Sequence, residues 1–69
     1  MRLSARNQIK RTVTGVTKGA TTSHVRVDIG NRQTVTASIT NEAVDELGIK
    51  SGSEVTVVIK ASDVMIGVD

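Results

Sequence analysis

Apolar and polar residues alternate over most of this 69-residue chain. The pattern is cleanest where Val25, Val27 and Ile29 face one way and His24, Arg26 and Asp28 the other, the period-two signature of a half-buried strand. Gly30-Asn31 then signals a hairpin turn, and Thr34 to Ile39 reads as the returning strand with Val35, Ala37 and Ile39 inward. Upstream, Ile9 to Val16 alternates more loosely, but its threonine and valine density favours a strand. Val13 and Val16 fall on opposite faces of a regular strand, which predicts cover on both sides. Lys18-Gly19-Ala20-Thr21 separates this strand from the next as a turn.

After Ile39 the period changes. Thr40 or Asn41 can cap a short helix, with Glu42, Asp45 and Glu46 placed favourably in its first turns. Val44 and Leu47 would form its buried side, and Gly48 would end it in the left-handed C′ role with Ile49 packed behind. Lys50-Ser51-Gly52-Ser53 is a further turn. Val55, Val57 and Ile59 then alternate with Thr56, Val58 and Lys60, leaving an apolar Val58 on the outer face as a candidate subunit contact. Ala61-Ser62-Asp63 breaks that strand, and Val64, Ile66 and Val68 predict a last one. The order β-β-β-α-β-β, with turns about every ten residues, predicts an all-β fold. It is a small five-stranded barrel of the oligonucleotide/oligosaccharide-binding (OB) kind with one short helix, occupying residues 1–69 as a single domain.

Composition changes this picture in one respect. With no Phe, Trp, Tyr, Cys or Pro, the core must be built from Val, Ile, Leu and Ala, and no disulfide can staple it. A chain this short without staples, metal or aromatics is expected to complete its burial in a homo-oligomer. The single His24 and the lack of Cys speak against a structural zinc site or other metal-cation centre. No run reaches membrane-span length and no apolar signal core follows Met1-Arg2, so the expectation is a soluble, cytoplasmic protein without membrane contact.

The net charge of +2 conceals an asymmetry. Residues 1 to 34 carry Arg2, Arg6, Lys10, Arg11, Lys18, Arg26 and Arg32 against Asp28 alone. From residue 35 onward Lys50 and Lys60 oppose Glu42, Asp45, Glu46, Glu54, Asp63 and Asp69. This implies either an anionic partner for the first half or halves that pair across a subunit interface.

The chemistry these residues permit is narrow. The lone His24 belongs to no carboxylate-and-hydroxyl constellation and the acids cluster on a short helix, so no enzyme is expected. Glycine-rich nucleotide loops are missing. Barrels of this type hold single-stranded nucleic acid by stacking bases on aromatic side chains, and here there are none. A small oxyanion remains. It needs cations, hydroxyls and free backbone N–H groups with little bulk, which Ser4-Ala5-Arg6-Asn7 and Lys60-Ala61-Ser62 supply at breaks between apolar runs. Thr40 lies at the entrance to the helix, where first-turn N–H groups point outward. Within one chain these pieces can be far apart, whereas across an interface they can converge.

Ser4-Ala5-Arg6-Asn7-Gln8, Ser38-Ile39-Thr40, Glu46-Leu47-Gly48 and Val58-Ile59-Lys60-Ala61-Ser62-Asp63-Val64 together resemble the molbindins, the small Mop/TOBE-type molybdate-binding proteins. The resemblance runs the length of the chain, and its specific parts are the opening Ser-Ala-Arg-Asn and the closing Lys-Ala-Ser-Asp-Val. It implies intracellular binding and storage of molybdate, with tungstate as a related ligand, and no separate cofactor. It also implies a strand-exchanged dimer, three of which form a hexamer with oxyanions held between subunits. One class of site would comprise Ser4, Arg6, Lys60 and the Ala61 N–H, with Thr40 from a neighbouring subunit. A second class lies near threefold axes, for which the Lys18-Gly19-Ala20 turn is the candidate. Relatives often have serine where this chain has Ala43, so one hydroxyl is missing, though the Ala43 N–H remains a candidate donor. With no helix-turn-helix or nucleotide-binding segment, the free-standing form is expected.

A rival resemblance spans Ile39–Val55, whose short helix, Leu-Gly-Ile ending, glycine turn and strand look like the swapped-hairpin DNA-binding regulators of the AbrB type. It leaves the N-terminal half, with its long strand and Ser4-Ala5-Arg6-Asn7, unexplained.

Overall fold

A computed structural model describes all 69 residues. Strands β1 (Asn7–Lys18), β2 (Thr22–Gly30) and β3 (Gln33–Thr40) precede helix α1 (Asn41–Leu47), and β4 (Glu54–Ile59) follows it. The four strands form one antiparallel sheet in the order β3-β2-β1-β4, curved like half a barrel. Val13, Val25 and Val27 on its concave face and Val44 of α1 are almost fully buried, with Val16, Ala37, Ile39, Ile49, Val55 and Val57 packed around them.

The parity conflict between Val13 and Val16 resolves through a bulge. Val13 pairs with Val27 and Val16 with Val25, but Gly15 pairs with Arg26, so Thr14 is the extra residue. One added residue returns Val16 to the face of Val13, and both point into the core. The expected double cover of β1 is therefore unnecessary. Gly15 serves the same irregularity, because the Arg26 guanidinium lies over it where a Cβ would stand 2.6 Å from a guanidinium nitrogen.

Helix α1 has the caps its sequence implies. Thr40 Oγ1 accepts the Ala43 N–H at 3.1 Å. At the other end Gly48 is left-handed (φ 63°), and the Ile49 N–H donates to the Val44 carbonyl at 3.0 Å, a Schellman closure. Asn41 locks the helix start to the β1–β2 turn. Its N–H donates to the Thr21 carbonyl, its Nδ2 donates to the Gly19 carbonyl, and its Oδ1 accepts from the buried Ser23 hydroxyl. Leu47 departs from expectation. It is 71% exposed while Val44 is buried, because the sheet below the last helical turn is open rather than closed.

The larger correction concerns the fifth strand. The single chain has four, and after a 3-10 turn at Ala61–Asp63 the residues from Val64 onward pair with nothing. Met65, Ile66 and Val68 are about nine-tenths exposed. A strand requires a ladder partner, and this segment pairs with neither edge strand, β3 or β4. An apolar groove of about 540 Å³ stands open, lined by side chains of β2, β3 and β4 together with Met1, Leu47 and Ile49. No helix is long and apolar enough to cross a membrane.

The β2–β3 turn supplies a test of the local reading. Asn31 (φ 53°) and Arg32 (φ 59°) are both left-handed, the geometry of a two-residue type I′ hairpin. Left-handed backbone costs a non-glycine residue about 1–2 kcal/mol, more than the roughly 0.5–1 kcal/mol of chain entropy that glycine forfeits on folding. Arg32→Gly is therefore expected to raise stability by up to about 1 kcal/mol, seen as a higher urea midpoint with an unchanged slope.

Candidate functional site

The backbone pairing of β1 with β4 builds one half of the candidate site. Asn7 pairs with Ile59, and Asn7 Nδ2 donates to the Ile59 carbonyl at 3.1 Å. Arg6 and Lys60 thus occupy facing positions one step beyond the last ladder pair. Ala5 is buried and Gln8 Nε2 donates to its carbonyl at 3.2 Å, which fixes the approach of Ser4 and Arg6 to the sheet. Lys60 stands before the 3-10 turn, whose own bonds begin at the Asp63 N–H. The Ala61 N–H lies ahead of these and makes none within the turn. Ser4, Arg6, Lys60 and Ala61 are all exposed, and neither cation has an acidic partner, since the two salt bridges are Lys10–Glu54 and Lys18–Asp45. Two cations without salt bridges, a hydroxyl and a free amide therefore lie on chain segments that leave the same corner of the sheet.

Thr40 is not at that corner. It pairs with Thr22 at the far end of the sheet, beside the end of β1 at Lys18. The 12 residues of β1 separate the two ends, on the order of 30 Å at the rise of an extended strand. Within one chain, Thr40 and the Arg6–Lys60 pair cannot hold the same ion. Thr40 Oγ1 already accepts the Ala43 N–H. Its own hydroxyl hydrogen remains free to donate outward, whereas the Ala43 N–H considered as a replacement donor is committed to Thr40.

The Lys18-Gly19-Ala20 turn shares this far end. The Gly19 N–H donates to the Thr22 carbonyl at 2.7 Å, and a Cβ on Gly19 would stand 2.9 Å from that oxygen, so glycine is required by close approach. Thr17, Lys18, Gly19, Thr22 and His24 line a polar pocket of about 300 Å³. Ala20 is exposed in the same turn but is not part of the lining. Sequence reading missed Thr17, Thr22 and His24 here, although Thr17 and His24 are direct cross-strand partners. It also missed that Lys18 Nζ donates to Asp45 Oδ1 at 2.7 Å. Both salt bridges join a cation of the first half to an acid of the second, so part of the charge asymmetry is resolved inside the chain. No three His, Asp or Glu side chains gather to hold a metal cation.

The chain is 47% identical over 66 residues to molybdenum-pterin-binding protein 1 of Clostridium pasteurianum, covering 96% of this chain and 97% of that one. It is 38% identical over 69 residues to the probable molybdenum-pterin-binding protein of Haemophilus influenzae, covering both completely. Among solved structures it superposes on MopII of C. pasteurianum with a TM-score of 0.88 at 43% identity, over 97% of this chain and 100% of that one. The TM-score is 0.94 at 42% identity against the cytoplasmic molybdate-binding protein ModG with molybdate bound, over 100% of this chain and 49% of that one. The TOBE domain model matches residues 3–66, a span that takes in the N-terminal strand and Ser4-Ala5-Arg6-Asn7 as well as the helix and turn that suggested a swapped-hairpin regulator. A match of that extent, with whole-length relatives, places this chain in the TOBE domain family.

Proposed function

We propose that this protein binds molybdate, and the isosteric dianion tungstate, at interfaces between copies of itself, as a storage and buffering protein without catalysis in the cytoplasm. The observation that carries the reading is the facing pair Arg6 and Lys60, two cations without acidic partners beside the Ser4 hydroxyl and the Ala61 N–H. A dianion there gains charge-assisted hydrogen bonds from fixed donors, and partial desolvation between subunits strengthens them. The names of whole-length relatives and the molybdate-bound structural neighbour support molybdate as the ion.

Assembly follows from the same geometry. The exposed apolar segment Val64–Val68 and the open groove are complementary in character, which supports a dimer in which each tail adds a fifth strand to the other chain's half-barrel. Burying Val64, Ile66 and Val68 contributes about 1.5–3 kcal/mol per side chain, repeated in both directions. Exchange of this kind brings strand ends of separate chains together, which is what Thr40 needs in order to complete the Arg6–Lys60 corner. Three such dimers would make a hexamer, with the Lys18-Gly19-Ala20 turn supplying a second class of site near the threefold axes.

Calorimetric titration with molybdate is expected to give saturable heat at micromolar protein, and its absence would exclude the reading. Loss of one charge-assisted bond costs roughly 1.5–3 kcal/mol, so Arg6→Ala and Lys60→Ala should each weaken binding by about ten- to a hundredfold. Lys50→Ala, which removes a charge from an exposed turn, should change it little. Thr40 separates capping from binding. Thr40→Asp keeps a helix cap but sets a like charge against the anion, so stability holds while affinity falls. Thr40→Val loses the cap as well, at about 1 kcal/mol in urea unfolding. Light scattering should give a mass near six subunits, and ending the chain at Asp63 should yield smaller species.

A further inference from the structure

The cations proposed to hold anions are not equivalent. Arg6 and Lys60 are uncommitted, but Lys18 Nζ already donates to Asp45 Oδ1 at 2.7 Å. The shallow pocket Lys18 borders is lined by no hydrophobic residue, with Thr17, Gly19, Thr22 and His24 as its other walls. Asp45 is not among them. It lies on α1 and engages the lysine from outside the pocket, so the only fixed positive charge on the lining is offset by an internal carboxylate.

We propose that Asp45 is a built-in competitor for anions at this second pocket: its carboxylate holds the Lys18 ammonium on α1, and an oxyanion is retained there only by drawing that ammonium away. The inference rests on the reading of the Lys18 turn as an oxyanion site, and it makes Asp45 the residue that sets affinity there. The exchange is easy. The Lys18 and Asp45 side chains are 50% and 65% exposed, so water screens their attraction, and pairs of this kind are weak. Lysine presents a point charge on a flexible four-carbon stem and can change partners without moving the backbone. The Gly19 turn and α1 meanwhile stay fixed to one another through Asn41, whose bonds do not involve Lys18 or Asp45. A tetrahedral dianion offers the ammonium more charge than a carboxylate and also accepts from the Thr17 and Thr22 hydroxyls, which Asp45 does not reach from α1. Asp45 therefore weakens the second site relative to the first without abolishing it.

The test is Asp45→Asn, which removes the charge at constant shape and leaves intact the Asp45 carbonyl that accepts the Gly48 N–H. Molybdate titrations would be run in the otherwise unsubstituted chain and again with Arg6→Ala, which weakens the interface site so that the second is read directly. Asp45→Asn is expected to tighten molybdate binding in the Arg6→Ala chain by roughly two- to fivefold, the scale of an exposed ion pair. Lys18→Ala should abolish that gain, and Glu46→Gln, which neutralises the adjacent helical acid without an ion-pair partner, should not reproduce it. Equal or weaker binding by Asp45→Asn overturns the proposal, as does a gain that persists with Lys18→Ala. If the unsubstituted protein binds molybdate but the Arg6→Ala chain shows none, the second site and this proposal fail while the first site stands. If the unsubstituted protein takes up no molybdate, the oxyanion reading itself has failed.

Discussion

The structure depends on how little its interior can hold. The largest fully buried side chain is a valine, and only six residues are buried at all. Valine fits a pleated, half-buried surface well, but it is thin, and four of them cannot close a barrel whose concave face measures several strands across. The unfilled space forms the open groove that runs from β3 and β2 to β4, with Leu47 of α1 on its border. The same deficit leaves Leu47 in solvent and the Val64–Val68 segment without a partner. A chain with a tryptophan or two phenylalanines in these positions could fill its own half-barrel. This one presents an open apolar groove and an exposed apolar tail at once, which is the ground for the self-association proposed above.

Most of the architecture was legible because it is written in short-range terms. Period two marks β2 and β3, the left-handed Gly48 ends α1, and the threonine before Asn41 begins it. These features depend on residues within a few positions of one another. The failures occur where the deciding contact is distant. The Thr14 bulge is invisible in β1 alone, since only the pairing of Val13 with Val27 and Val16 with Val25 shows that one residue is supernumerary. The last segment has strand-like sequence, but a strand exists only by virtue of its neighbour, and no periodicity specifies which chain provides it.

The site divides along the same line. Ser4, Arg6, Lys60 and Ala61 could be recognised as cations and donors at element breaks, and antiparallel pairing of β1 with β4 brings them to one corner. That Thr40 stands at the opposite end could not be read from composition or spacing. It follows from the length of β1 and from the sheet order, which puts β3 two strands away from β1 and at its other end. The Lys18–Asp45 pair is hidden for a related reason, joining residues 27 apart through the packing of α1 beside the end of β1.

The two ends of the sheet therefore present anions with different electrostatics despite similar residue types. At the Arg6–Lys60 corner the two cations stand on neighbouring chain positions and neither is in a salt bridge, so any dianion that came to lie there would meet uncompensated charge. Charge in this arrangement is stored by the sheet, because the Asn7–Ile59 pairing holds the two positions opposite one another whether or not an ion is present. At the Lys18 end the fold has instead supplied its own counter-ion, and the resting state is already compensated. On the proposed reading, an oxyanion at the corner would meet unpaired cations, whereas one at the turn would have to replace the Lys18–Asp45 attraction. On the proposal made above, the Arg6–Lys60 corner would fill first and the Lys18 turn after it.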